Sequence, residues 1–127
     1  MTAGMRTVVY PVSDLAGATR LFRALLDRAP TTEQPYYVGF DVAGQEVGLD
    51  PNGDPAEGPV GYWHVDDVHA SLERLLAAGA RAGRPVRDVG GGRLIATVAD
   101  ADGNVLGLLQ PAGARRPEPD PAEPTRS

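Results

Sequence analysis

The sequence predicts an α+β fold made of two copies of one β-α-β-β-β module, and three observations predict it. Hydrophobic spacing switches between the strand and helix periods in the same order twice along the chain. The segments "GQEVGLDP" (44–51) and "GNVLGLLQP" (103–111) are near-repeats, each with a glycine inside a predicted strand, Gly48 and Gly107. Val12 and Asp14 recur 53 positions on as Val65 and Asp67, whereas Asp41, Gly44, Gly48 and Leu49 recur 59 positions on as Asp100, Gly103, Gly107 and Leu108. The longer second offset is absorbed by "DVGGGR" (88–93). Neither module is large enough to close a core alone; paired, their sheets can wrap into a trough.

In the first module, Thr7–Val12 is a β-branched run suited to a strand. Ser13 or Asp14 caps a helix whose apolar positions Leu15, Ala18, Phe22 and Leu25 keep helical spacing, and Pro30 marks its end. "TTEQ", "YYVGFD" and "QEVGLD" follow as three strands. "DVAGQ" between the last two suits a three-residue hairpin loop with Gly44 in the left-handed region. "PNGDPAEGP" (51–59) is a linker, and its Asp54 and Glu57, like Asp50 before them, are assigned no chemistry.

The second module starts with Val60–Val65 as a strand and Asp67 as helix cap. Val68, Leu72, Leu75 and Leu76 form the apolar stripe, and Gly79 stops the helix. "GRPVRD" is a weak edge strand because of Pro85. "GGG" (90–92) is a loop, and "RLIATVAD" and "NVLGLLQ" are strands joined by "DADGN", the counterpart of "DVAGQ". Residues 112–127 carry four prolines and almost no apolar mass, which predicts a disordered tail. Residues 1–111 then form one domain, with modules at about 5–50 and 60–111.

A chain of 127 residues with a net charge of −5 buries roughly two thirds of its surface as one domain. Up to residue 111, nine arginines face fourteen acids, so no basic patch of the density nucleic acid demands is present. The absence of cysteine removes disulfides, thiol nucleophiles and zinc-thiolate centres. No signal peptide or bilayer-spanning segment is evident, so cytoplasmic residence without membrane attachment is expected.

The "VSDL" (12–15) and "VDDV" (65–68) helix entries and the ending "DADGNVLGLLQP" (100–111), over residues 5–111, resemble the vicinal oxygen chelate superfamily of glyoxalase I, bleomycin-resistance proteins, fosfomycin-resistance enzymes and extradiol dioxygenases. The resemblance implies a curved eight-stranded mixed sheet around a central cavity. It also implies a homodimer. In metal-dependent members, one ligand sits on the first and one on the last strand of each module; the matching positions here are Thr7, Gly48, Val60 and Gly107. Valine and two glycines offer a divalent ion nothing, so neither metal nor cofactor is expected.

Strand alternation assigns the cavity face. It places Thr7, Val9, Pro11, Val60, Tyr62 and His64 toward the cavity. With three-residue loops, Gly48 lies opposite Val38, and Tyr36, Val38, Phe40 and Glu46 join them. Gly107 then lies opposite Thr97, which adds Arg93 and Ile95. His64 is either a ligand-contacting proton acceptor or a histidine satisfied at a strand end. His69, in the first turn of its helix, is expected to be solvated. Tyr36 and Tyr62 suit stacking on a planar ligand as well as plain packing. Glu46 favours a cationic group or is a solvated acid; Arg93 clamps an anion or is a surface residue.

The expected function is metal-free binding or sequestration of an antibiotic or metabolite, as in the bleomycin-resistance branch. The alternative is a glyoxalase-type lyase, isomerase or dioxygenase with unorthodox ligands from His64, Glu46 or Asp50, or with His64 as proton acceptor. A third possibility is a partner-binding module whose trough is filled by its own side chains.

Overall fold

The computed structural model describes residues 2–113. Its elements are β1 (Thr2–Pro11), α1 (Leu15–Leu26), β2 (Thr32–Gln34), β3 (Tyr37–Val42), β4 (Gln45–Asp50), a 3-10 turn (Pro55–Glu57), β5 (Val60–Val65), α2 (Val68–Ala77), β6 (Arg81–Ala82), β7 (Arg87–Asp88), β8 (Leu94–Ala99) and β9 (Val105–Gln110). The expected element order is thus present twice, with nine strands among the described residues where eight were expected. The tail expected to be disordered lies outside the described residues beyond Gly113. Among the described residues, Met5–Tyr62 forms one compact unit, and 63–113 with 2–4 form the other.

The first unit orders its strands β2-β3-β4-β1, with β1 parallel to β4 and the other pairs antiparallel. Asp14 caps α1 by accepting from the Gly17 N–H at 3.1 Å, satisfying an otherwise orphaned donor. Leu15, Ala18, Phe22 and Leu26 pack on Val38, Phe40 and Leu49, with Tyr10, Val12 and Val47 completing the cluster. The Phe22 ring stands 5.0 Å from Tyr10 and 6.5 Å from Phe40, centroid to centroid. The expected Leu25 instead lies 72 % exposed, because the stripe closes with a step of four to Leu26. The helix ends before Pro30, at Asp27, whose left-handed backbone (φ 54°) turns its N–H onto Arg23 O.

The β3–β4 hairpin departs from expectation. Val42 pairs with Gln45, so the loop has two residues, Ala43 (φ 53°) and Gly44 (φ 86°), both left-handed as a type I′ turn requires. The shorter loop shifts the register by one: Val38 lies opposite Leu49, and Gly48 opposite Gly39. Val38 and Phe40, expected on the cavity face, are therefore buried under α1. The cause is apolar matching. Only this register puts Val38 and Phe40 on the same face as Val47 and Leu49, and a one-residue slip would strand two large side chains away from the helix.

In the second unit, which takes in β5 from Trp63 onward, the strand order is β5-β9-β8-β6, with β7 also paired to β8. Asp67 caps α2 through the Ala70 N–H at 3.1 Å, and the Gln110 side chain accepts from Val68 N at 2.9 Å. At the other end, Ala80 N bonds Leu75 O and Gly79 N bonds Leu76 O, a Schellman pattern with Gly79 at φ 108°. Val68, Leu72 and Leu75 join Val65, Ala96 and Leu108 in the core, whereas Leu76 is 40 % exposed. Of the weak strand expected at 83–88 only Arg87–Asp88 forms, and 83–86 bulge out after the short strand Arg81–Ala82. Four residues (83–86) lie between the pairs Ala82–Val98 and Arg87–Ile95, where β8 spends two.

β1 begins five residues before the expected Thr7. Its first residues belong with the second unit, where the Thr2 hydroxyl donates to His64 O at 2.8 Å. Ladder bonds need only backbone, so "TAGMR" carries a strand that a β-branched count misses.

Candidate functional site

In each unit, the site expectation concerns the sheet face turned away from the helix. In the first unit, β1 and β4 run in register with Thr7 beside Glu46, Val9 beside Gly48 and Pro11 beside Asp50. Because Val47 and Leu49 face α1, alternation sets Glu46, Gly48 and Asp50 on the opposite face, together with Thr7, Val9 and Pro11. Thr7, Val9, Pro11, Glu46 and Gly48 lie on the face that alternation predicts for them, and Asp50, for which no place there was expected, joins them. The two from β3 and its preceding turn do not: Val38 is in the core, and Tyr36 lies in the β2–β3 turn, 63 % exposed. Their place is taken by Tyr37, which sequence reasoning passed over.

Tyr37 sits against the two glycines. A Cβ built on Gly48 would come within 2.7 Å of the Tyr37 ring atoms Cε1 and Cζ, and one on Gly39 within 3.1 Å of Cε2. The ring thus covers the Gly39–Gly48 cross-strand pair, restoring the packing that two side-chain-free residues would otherwise forfeit. Its hydroxyl donates to Glu46 Oε2, and both side chains are half-buried. Thr7, the register neighbour of Glu46, is 1 % exposed.

The signal that would have found Tyr37 was present in the sequence. Val38, Phe40 and Val42 alternate on β3 as Val47 and Leu49 do on β4. Matching these two apolar sets gives the two-residue loop and puts Tyr37 beside Gly48.

In the second unit, Thr97 lies opposite Gly107 as expected, on the face away from Ala96, Leu108 and α2. Its hydroxyl has a structural partner: it accepts from Arg84 N at 2.8 Å, inside the bulge, while Gly83 N bonds Thr97 O at 3.0 Å. A Cβ on Gly83 would approach that carbonyl oxygen to 2.7 Å, so glycine is needed there. On β5, Val65 belongs to the α2 core, which places Val60, Tyr62 and His64 on the other face. Val60 and Tyr62 are buried, and His64 is half-buried. Arg93 is half-buried at the end of the loop Gly90–Gly92, its N–H donating to Gly90 O and its carbonyl accepting from Val89 N. The expected site residues thus fall into two sets, Thr7, Glu46, Gly48, Val60 and Tyr62 in the first unit and His64, Arg93, Thr97 and Gly107 in the second. His69 is exposed, as expected.

In the second hairpin, the turn acid Asp100 has a perturbed carboxyl. Asp100 accepts from the Asn104 side chain at 2.8 Å and from the backbone N–H groups of Asn104 and Asp102, both at 2.9 Å. The Asn104 side-chain bond is the largest cause, and together these bonds hold the Asp100 carboxyl below the ordinary carboxylate range.

The donor set does not fit a metal. No group of three or more His, Cys, Asp or Glu able to hold an ion occurs among the described residues. The volume a side chain at position 48 would need holds the Tyr37 ring, and Thr7, Val60 and Gly107 bring no carboxylate or imidazole.

Two β-α-β-β-β arrangements with helices on one face define the glyoxalase class of α+β proteins. The model of the Glyoxalase/Bleomycin resistance protein/Dioxygenase superfamily matches residues 4–108, and the chain belongs to that superfamily. No curated protein sequence matches the chain. Among solved structures, methylmalonyl-CoA epimerase from Mycobacterium tuberculosis is similar at 21 % identity, covering 87 % of this chain and 89 % of its own, with a TM-score of 0.68. Streptomyces coelicolor methylmalonyl-CoA epimerase in complex with 2-nitronate-propionyl-CoA gives 14 % identity, 92 % and 100 % coverage, and a TM-score of 0.71. A Mn(II)-bound glyoxalase from Novosphingobium aromaticivorans gives 19 % identity, 93 % of this chain against 42 % of its own, and a TM-score of 0.66. At these identities the likeness is one of fold. No helix among the described residues is long and apolar enough to cross a membrane.

Proposed function

We propose that this chain is a metal-free small-molecule-binding member of its superfamily, of the bleomycin-resistance kind, holding an antibiotic or metabolite against the sheet faces turned from its helices. The observation that carries the reading is the replacement at Gly48. Where metal-dependent relatives are expected to place a ligand side chain, this chain seats a tyrosine ring on bare backbone. Recognition then rests on aliphatic and aromatic walls with a few oriented polar groups, the usual composition of a small-molecule site. Residues 1–111 acting as one domain, a homodimer, and work in the cytoplasm belong to the same reading. That a structural neighbour holds 2-nitronate-propionyl-CoA supports the capacity of this fold for organic ligands.

Native mass spectrometry of protein isolated without chelator tests it. The expected species carries an organic molecule and no divalent ion; a stoichiometric divalent ion contradicts the reading.

One observation favours the enzymatic alternative. Glu46 is a half-buried carboxylate bonded by a phenol on the ligand-facing side, a fitting proton acceptor beside the His64 already considered. Turnover abolished by both E46Q and H64Q, with ligand binding retained, would establish it.

A further inference from the structure

Resting on the metal-free reading, we infer that the β7–β8 hairpin of the second unit holds an oxyanion, a carboxylate or phosphate carried on an apolar body, and that Arg87 grips it. Residues 81–93 hold four arginines and one acid, the reverse of the balance elsewhere in a chain of net charge −5. Strand pairing decides which face these charges take. Arg87 lies opposite Ile95, and Asp88 opposite Leu94, which packs toward α2. Directly opposed residues share a face, so Arg87 sits with Ile95 on the side turned from α2, and the one acid goes to the other side. The Asp88 carboxylate accepts from Gly90 N at 2.7 Å, a bond within the turn. Val89 N bonds Arg93 O at 2.9 Å, which continues the register and sets Val89 and Arg93 on the face of Arg87.

Burial narrows the site. Thr97 and Leu109, the neighbours of Ile95 on that face, are 8 % and 2 % exposed, so the open part of the face is the hairpin end. There Arg87 is exposed, Val89 is 44 % exposed, and Arg93 and Ile95 are half-buried. The loop Gly90–Gly92 brings no side chain that could cover them. Arg81, at the far end of the segment, lies close enough to Asp100 to help lower its carboxyl, and Arg84 and Arg93 have further partners within the protein. The gripping role therefore falls to Arg87, with Val89 and Ile95 as the apolar floor. A guanidinium is a planar fork of donors that meets a carboxylate or phosphate in two parallel hydrogen bonds. An organic cation is opposed by the Arg87 charge, and a divalent metal finds no donor side chain among Arg87, Val89, Arg93 and Ile95.

The test is a chemical-shift titration of the full chain with four probes of similar shape: phenylacetate, phenyl phosphate, 2-phenylethanol and phenethylammonium. The expected result is saturable binding of an oxyanion probe, with the largest shifts at Arg87, Val89 and Ile95; the tighter of the two names the oxyanion. It should bind roughly tenfold or more tightly than the alcohol, as hydrogen bonds to a charged group imply. R87Q, at an exposed position, should erase that preference, and R87K, which keeps the charge without the fork, should retain part of it. R20Q removes one exposed charge from α1 and should change nothing. Preference for the alcohol or the ammonium probe, or oxyanion binding that R87Q leaves untouched or that R20Q weakens equally, overturns the oxyanion assignment while leaving the metal-free reading intact. Metal analysis of the same sample tests that reading separately: a stoichiometric divalent ion overturns it, and R87Q-sensitive binding in that sample still supports the oxyanion site.

Discussion

The hairpins at 41–45 and 100–104 both run Asp-x-x-Gly and close differently. In the second unit, Asp100 N bonds Asn104 O and Gly103 N bonds Asp100 O, so three residues form the loop and Gly103 (φ 85°) takes the left-handed place. Asn104 reinforces it by clamping the Asp100 carboxylate. In the first unit, Gln45 pairs with Val42 and the loop shrinks to Ala43–Gly44, although this forces an alanine to φ 53°. The strained alanine is tolerated because the register it permits buries Phe40, Val38 and Leu49 together. The comparison teaches that the core face, worth several kcal/mol per aromatic side chain, outranks a turn preference worth about one.

The sharpest way to break this comparison is F40A. Under α1 it should cost about 3–5 kcal/mol in chemical denaturation, the range for emptying an aromatic core site. A cost below 1 kcal/mol would mean that Phe40 faces away from the helix and the turn has three residues after all.

Next in size is G48A, where the new methyl meets the Tyr37 ring; we expect a loss of about 1–3 kcal/mol from overpacking. Y37A should rescue most of it in a double-mutant cycle, whereas the equivalent change G107A should show no coupling to Tyr37. A43G should move stability the other way, by about +1 kcal/mol, because it relieves a left-handed alanine; the corresponding site in the second hairpin, Asp102, has no positive φ to relieve.

The smallest effect belongs to Asp100. Its carboxyl is held below the ordinary range by Asn104, so its contribution is present above the unfolded-state value and fades as pH falls through the lower folded value. D100N should flatten that acid-side slope in a pH series of melting curves, and a slope unchanged by D100N would contradict it.

Much of the fold was legible in the sequence because it rests on local chemistry. Asp14, Asp67 and Gly79 end their helices as expected, and the DADGN turn gives the Thr97–Gly107 pairing as expected. What was missed depends on contacts across strands. Tyr36 and Tyr37 are neighbours of one type, and only the partner strand decides which one lies beside Gly48. The bulge at Gly83–Val86 was likewise hidden, since Thr97 supplies its acceptor from thirteen residues beyond Arg84. The role of Gly48 is half visible: its missing side chain is legible in the sequence, but the Tyr37 ring that occupies the place is not.

The most direct measurement is the nuclear Overhauser effect between the Tyr37 ring protons and the Gly48 α-protons, recorded with and without excess Zn²⁺. A strong effect that the ion leaves unchanged is the predicted result. Contact from Tyr36 instead, or loss of the Tyr37 contact as Zn²⁺ takes up a place beside Glu46, would contradict it.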